Sequence, residues 1–164
     1  MSDCCSVKDS SVAPPVAACP VNGARSKQVD RLTVQSLARQ LPLGMPNTEY
    51  YHCETADCDV VYFAFDSQAP IFRRGDLLIR VGAKEESDPI PVCYCFGFTR
   101  KDIENEIAET GRCTVADRIA AEVTAGKCAC EVKNPSGKCC LGNVMRVAQL
   151  HLRNRSDAAT RAAG

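Results

Sequence analysis

The sequence predicts an α+β chain built as two modules, a small mixed α/β module followed by a module of three helices with helix-turn-helix character. Three observations predict it. "EYYHC" (49–53) and "DVVYFAF" (59–65) are rich in aromatic and β-branched residues around "TADC", the signature of a β-hairpin. Beyond residue 98 the apolar spacing turns helical, and Thr before and Gly after punctuate the first two runs. Between the two patterns lies "KEESDPIPV" (84–92), whose charge run and two prolines suit a linker.

In chain order, residues 1–18 are small, polar and Pro-containing and read as a disordered arm. Residues 19–85 form the first module. Within it "TVQSLARQL" (33–41) predicts a helix with Thr33 as N-cap and Val34, Leu37, Ala38 and Leu41 on one face. "DLLIRVG" (76–82) is ambiguous between a helical turn and a strand. Residues 86–153 form the helical module. "TRKD" (99–102) opens its first helix with a Thr99/Asp102 capping box, and Gly111 closes it. "TVAD" (114–117) opens the second, with Val115, Ile119 and Val123 one turn apart and Gly126 at its end. The third starts near Cys140 and runs to about Arg153, leaving 154–164 as a frayed tail. With the linker between them, the modules are expected to be stabilised separately.

Composition excludes several classes. The formal net charge is zero and the pI near 6.7, which does not suit nucleic-acid binding. No apolar run is long enough for a membrane span. The N-terminus lacks a basic stretch followed by an apolar one, so no export signal is read and a cytoplasmic location is expected. No Ser/His/Asp set, phosphate loop or paired acidic motif is visible, and two histidines leave little for hydrolytic chemistry. An electron carrier or metal-handling protein is expected rather than an enzyme.

The twelve cysteines carry the chemical signal. In a reducing compartment stable disulfides are rare, and dense cysteines point to metal or catalysis. Cys93 and Cys95 precede the first helix of the second module; Cys128, Cys130, Cys139 and Cys140 precede its third. A helical hairpin brings these groups to one end. A C-x-C pair can hold one iron of a cluster, with a second pair on the other, as a four-thiolate [2Fe–2S] centre requires. The third helix's N-terminus favours thiolates there, and Lys127, Lys133 and Lys138 would offset a cluster's negative charge. Cys113 stands alone and His151 sits on a helical core face, so both read as packing residues.

"PVCYCFGFTRKDIENEI" and "CACEVKNPSGKCCLGNV" resemble the [2Fe–2S] module of bacterioferritin-associated-ferredoxin-like proteins, and more closely the N-terminal domain of two-metal copper chaperones of the CopZ type. "YYHCETADCDVVYF" (50–63) is similar to the zinc-binding half of that domain. The resemblance spans roughly residues 19–150. It implies a zinc site and a [2Fe–2S] cluster, with Cys93, Cys95, Cys130 and Cys140 as cluster ligands and Cys128 and Cys139 as alternates. Zinc would take Cys19, Cys53 and Cys58. A structural zinc favours four ligands, and an arm thiol supplies the fourth most readily: Cys5, with Cys4 as its alternate. His52 and Asp57 are weaker choices, because His52 precedes Cys53 in a strand and faces the other way. Asn22 stands where a C-x2-C knuckle would have its second thiol.

The chaperones' C-terminal copper-binding domain, with its M-x-C-x-x-C loop, is not found before Gly164, so copper delivery is not carried over. The expected function is one-electron transfer linked to copper or metal homeostasis, with an unidentified redox or copper-transport protein as partner. Two alternatives stand beside it: a metallochaperone that binds Cu(I) through spare cysteines, and a zinc-only interaction module.

Overall fold

In the computed structural model, which describes residues 12–66 and 68–164, the first module is an antiparallel sheet with its five strands side by side in chain order. They are β1 (Val16–Ala18), β2 (Arg25–Val29), β3 (Tyr50–His52), β4 (Val60–Ala64) and β5 (Phe72–Arg73). The hairpin expected from the aromatic stretches is β3–β4, in which Tyr51 faces Phe63 and His52 faces Tyr62. Side chains alternate across a strand, so β3 feeds two cores. Tyr50 packs with Tyr62, Phe72, Val34 and Leu37 on one face. Tyr51 stacks on Phe63 on the other, their rings 5.4 Å apart, beside Cys19, Cys53 and Cys58. β1 lies within the stretch expected as an arm, because Val16 and Ala17 pair with Lys27 and Ser26.

The first helix, α1 (Arg31–Leu37), differs from expectation at both ends. Its N-cap is Asp30, whose carboxylate accepts from the Leu32 N–H at 2.8 Å. Asp30 takes that role, so Thr33 sits inside the helix, fully buried, with its hydroxyl turned elsewhere. The helix stops at Leu37 because Ala38 is extended and bridges Leu77, which leaves Leu41 exposed. That bridge also settles "DLLIRVG": it is neither helix nor strand, since Asp76 closes a 3-10 turn (Arg74–Asp76), Leu77 makes an isolated bridge and Leu78–Ile79 bend away.

The segment expected as a linker is fastened along its length. A 3-10 turn at Gly82–Lys84 buries both of its ends. Beyond it the Arg80 guanidinium pairs with Glu85 and donates to the carbonyls of Ser87 (2.9 Å) and Pro89 (2.8 Å). A short ladder, β6 (Pro91–Cys93) with β7 (Phe98–Thr99), then leads into the helices.

α2 (Arg100–Thr110) is capped as its sequence predicts. Thr99 and Asp102 exchange the reciprocal bonds of a capping box, and Gly111 ends the helix in the left-handed conformation. α3 (Val115–Thr124) lacks the expected cap bond, because the Thr114 hydroxyl donates to the Glu106 carboxylate instead. Two features depart from a three-helix plan. A one-turn helix, α4 (Cys130–Lys133), is inserted, and α5 (Leu141–Ala162) runs through the residues expected as a tail. Alanine-rich sequence favours that extension, and Arg155 fixes it by donating to the carbonyls of Ile107 and Ala108 at the end of α2. His151 is half-buried rather than in the core and faces Glu104 at 3.3 Å.

One contact between the two modules is made by α4 and the Asn-Pro-Ser-Gly turn that follows it. The Thr33 hydroxyl donates to the Glu131 carbonyl at 2.6 Å, and the Tyr62 hydroxyl to the Pro135 carbonyl at 2.7 Å. Gly137 is required here twice over. Its φ is +68°, and a Cβ would lie 2.8 Å from the Thr33 hydroxyl oxygen.

Candidate metal centres

The first centre is built by hairpin loops. Cys19 follows β1, and its N–H and C=O are both tied within the tight β1–β2 turn, to the Ala24 carbonyl and the Gly23 N–H. Cys53 follows β3 with its N–H on the Val61 carbonyl, and Cys58 closes the "TADC" turn onto the Thr55 carbonyl. The three thiols lie within 4.8 Å of one another and all three residues are buried. A tetrahedral zinc with Zn–S bonds of about 2.3 Å holds its sulfurs roughly 3.8 Å apart, so the donor set and spacing fit zinc. Among the described residues no fourth ligand joins the group. His52 is turned to the Tyr62 face, as its strand position predicts, and Asp57 is exposed. Cys4 and Cys5, the arm thiols, lie outside the described residues. The Asn22 amide, in place of a knuckle thiol, points at the Cys53 sulfur at 3.8 Å.

One residue of this centre has no signal in the sequence. Lys84, the first residue of the linker stretch, is 1 % exposed, and its ammonium donates to the carbonyls of Thr55 (2.7 Å) and Cys58 (2.9 Å). The effect on the thiols is mixed. Burial raises Cys53, but the Thr55 N–H and hydroxyl, Lys84 and Cys19 outweigh it, and the thiol ends below its usual range. Burial also raises Cys58, and the neighbouring sulfurs keep it raised. Burial holds Lys84 below its ordinary value, and the three sulfurs offset only part of that. Zinc with three thiolates carries one net negative charge, and a buried charge needs a partner, which Lys84 supplies.

The second group of thiols gathers at one end of the helical module. Cys140 lies 2.9 Å from Cys93 and Cys95 lies 3.4 Å from Cys130, sulfur to sulfur. Each close pair therefore joins one thiol of the C-x-C loop to one from the later loop, rather than keeping the C-x-C pair together. Cys93, Cys130 and Cys140 are buried and Cys95 half-buried; all are free thiols. The hydrogen bond from Cys140 brings the Cys93 thiol down to about 6, and the same bond with burial raises Cys140. Burial and the adjacent Cys95 push Cys130 up to about 12. The Ala129 N–H reaches the Cys95 sulfur at 3.4 Å. Of the alternates, Cys128 is half-buried and Cys139 exposed. Lys127 is turned away to Glu122 at 2.8 Å.

A sheet that buries three converging thiols defines a metal-binding domain, and comparison with known proteins says which. Residues 16–78 match the zinc-binding domain family of CopZ. The chain is 35% identical over 131 residues to the copper chaperone CopZ of Archaeoglobus fulgidus. That match covers 79% of this chain and 60% of the relative's length. The crystal structure of the N-terminal domain of the A. fulgidus protein superposes with a TM-score of 0.63, covering 79% of this chain and 96% of that one at 35% identity. The chain thus carries a CopZ-type zinc-binding domain and is a homologue of that chaperone, with the fold of its N-terminal domain.

Proposed function

We propose that the protein is a metal-handling redox protein with two resident groups, a zinc ion on Cys19, Cys53 and Cys58 and a [2Fe–2S] cluster on Cys93, Cys95, Cys130 and Cys140. Cys5 of the arm, with Cys4 as its alternate, completes the zinc site. The observation that supports the cluster is the double pairing of four free thiols from two distant loops, 2.9 and 3.4 Å apart within each pair. Four thiols are the donor set such a centre requires. The cluster, when bound, supplies one-electron chemistry. The chain's own residues bury it on three of its four ligands, and Ala129 N–H donates to Cys95 on the more open side. The homology to a copper chaperone supports a role in copper or metal homeostasis in the cytoplasm, with a redox or copper-transport protein as partner. Anaerobic purification followed by metal, sulfide and EPR analysis tests the reading. Two irons, two acid-labile sulfides and one zinc per chain are expected, with a signal that appears on reduction. A colourless protein holding zinc alone would overturn the cluster and leave the interaction module.

A second reading, capture of Cu(I) by the spare thiols, is favoured by the exposure of Cys139 beside Cys140. Titration with Cu(I) against a competing chelator separates the two readings.

A further inference from the structure

The two candidate metal centres are joined by a short run of hydrogen bonds that starts at one set of ligands and ends at the other. On the sheet side, the Lys84 ammonium holds the carbonyls of Thr55 and Cys58, so it grips the turn that carries Cys58 and follows Cys53. Lys84 is the last residue of the 3-10 turn that begins at Gly82, and its N–H closes onto the Val81 carbonyl at 2.8 Å. At the other end of that turn the Gly82 N–H donates to the Tyr94 hydroxyl at 2.8 Å. Tyr94 is the residue between Cys93 and Cys95. The joint is tight: a Cβ on Gly82 would stand 2.0 Å from the Pro91 carbonyl oxygen, on the strand that leads into Cys93. Three residues thus span from the zinc turn to the C-x-C loop, and Lys84 and Gly82 are both buried.

We propose that the Lys84–Gly82–Tyr94 run is a strut that couples the two centres, so that occupancy of the zinc site holds the C-x-C loop in its cluster-binding conformation. The physical reason lies in what Lys84 requires. An ammonium that is 1 % exposed needs the two carbonyl partners that the Thr55–Cys58 turn presents to it. Loss of zinc removes the bond that holds Cys58, and with it the anchor of the Thr55–Cys58 turn whose carbonyls grip the ammonium. Lys84 then leaves for water, and the turn that presents the Gly82 N–H to Tyr94 is released with it. Linkage is reciprocal, so a bound cluster must tighten zinc by the same factor. Lys84 and Tyr94 are positioning residues here, since neither supplies a sulfur. The inference rests on the assignment of the two groups above.

The test uses the full chain loaded with both metals. Cluster loss to a ferrous chelator is followed by visible absorbance, and the environment of the cluster by visible circular dichroism. Three variants are compared with wild type: Cys53→Ser, which removes a zinc ligand; Lys84→Met, which keeps all ligands and removes the ammonium; and Tyr94→Phe, which removes the hydroxyl. Cys53→Ser and Lys84→Met are expected to speed cluster loss about tenfold, an ordinary coupling between sites, and to alter the dichroism. In the Tyr94→Phe background the further effect of Lys84→Met is expected to fall to about twofold or less on the same scale. Rates that do not respond to zinc, or to Lys84→Met, overturn the strut. Hydrogen exchange on cluster-free protein decides the matter independently of the cluster. Zinc binding is expected to slow exchange of the 91–99 amides in wild type and not in Lys84→Met, and no difference between them overturns the proposal. If wild type takes up no cluster while the exchange response is present, the cluster assignment fails and the strut stands.

Discussion

Three thiols converge on one point in the sheet module, whereas four thiols in the helical module meet as two separate pairs. The difference follows from what carries them. In the sheet, every thiol-bearing residue has its backbone N–H bonded inside a hairpin or turn, to Ala24, Val61 or Thr55. Strand register and turn bonds therefore bring Cys19, Cys53 and Cys58 to one point. In the helical module Cys93 belongs to a two-stranded ladder, Cys95 to a turn, Cys130 to a one-turn helix, and Cys140 to the residue before α5. Within each close pair, Cys93 with Cys140 and Cys95 with Cys130, the sulfurs lie within hydrogen-bond distance. The sheet centre is organised by backbone. The helical thiols have no such common framework, since four different elements carry them.

The strongest break of that comparison is at Cys139 and Cys140. Adjacent residues entering a helix point about 100° apart, so both thiols cannot serve one iron. Cys140 is 3 % exposed and 2.9 Å from Cys93, while Cys139 faces solvent. Cys140→Ala is expected to lose most of the cluster's absorbance and EPR signal after anaerobic reconstitution, and Cys139→Ala to retain both. The reverse result would move the ligand by one residue and dissolve the Cys93–Cys140 pair as a functional unit.

A smaller effect is expected where the modules touch. Gly82→Ala places a methyl group against the Pro91 backbone, which cannot swing aside as a side chain would. Overpacking of this kind costs about 1–3 kcal/mol, and more where backbone must move. Urea denaturation in the Tyr94→Phe background, in which the remaining tyrosines Tyr50, Tyr51 and Tyr62 all lie in the sheet, followed by tyrosine fluorescence and by helical circular dichroism, should show both signals shifted to lower urea. A shift in one alone would restore the picture of two modules on an inert linker.

Elements carried by local chemistry were legible in the sequence. The β3–β4 hairpin, the Thr99/Asp102 box, Gly111 and the separation of His52 from Cys53 follow from alternation and capping, which act over a few residues. Features set by distant partners were not. Thr33 has the composition of an N-cap but spends its hydroxyl on Glu131, 98 residues away. Thr114 spends its own on Glu106. α5 outruns its expected end because Arg155 finds carbonyls on α2. Lys84 is the instructive case for the site. A lysine in a charge run reads as solvated, and only the fold brings two carbonyls and three sulfurs to it. The groups of cysteines were plain from spacing, but the crossing of the close pairs between loops was not, because it depends on how β6 and α5 approach.

The smallest effect concerns a cap that serves the helical module alone. The Thr99 hydroxyl accepts from the Asp102 N–H, and the Asp102 carboxylate accepts from both the Thr99 N–H and its hydroxyl, each at 2.7 Å. Thr99→Ala removes the hydroxyl and should cost about 1 kcal/mol, as N-cap losses do. The bonds from Thr99 hold the Asp102 carboxyl below its ordinary value. A depressed folded value means that its contribution is present above the unfolded pKa of about 3.9 and is lost as pH falls through the folded one. The penalty of Thr99→Ala should accordingly be full at neutral pH and shrink below about pH 4, near that unfolded value. Thr99 lies four residues beyond Cys95, whereas no residue of the cap touches the sheet thiols. The variant is therefore expected to leave zinc affinity unchanged and to quicken cluster loss slightly. Stability curves at pH 7 and pH 3.5, with zinc competition at pH 7, check all three expectations. A matching fall in zinc affinity would show that disturbance at the start of α2 reaches the sheet, and that the two centres differ less in their independence than their backbones suggest.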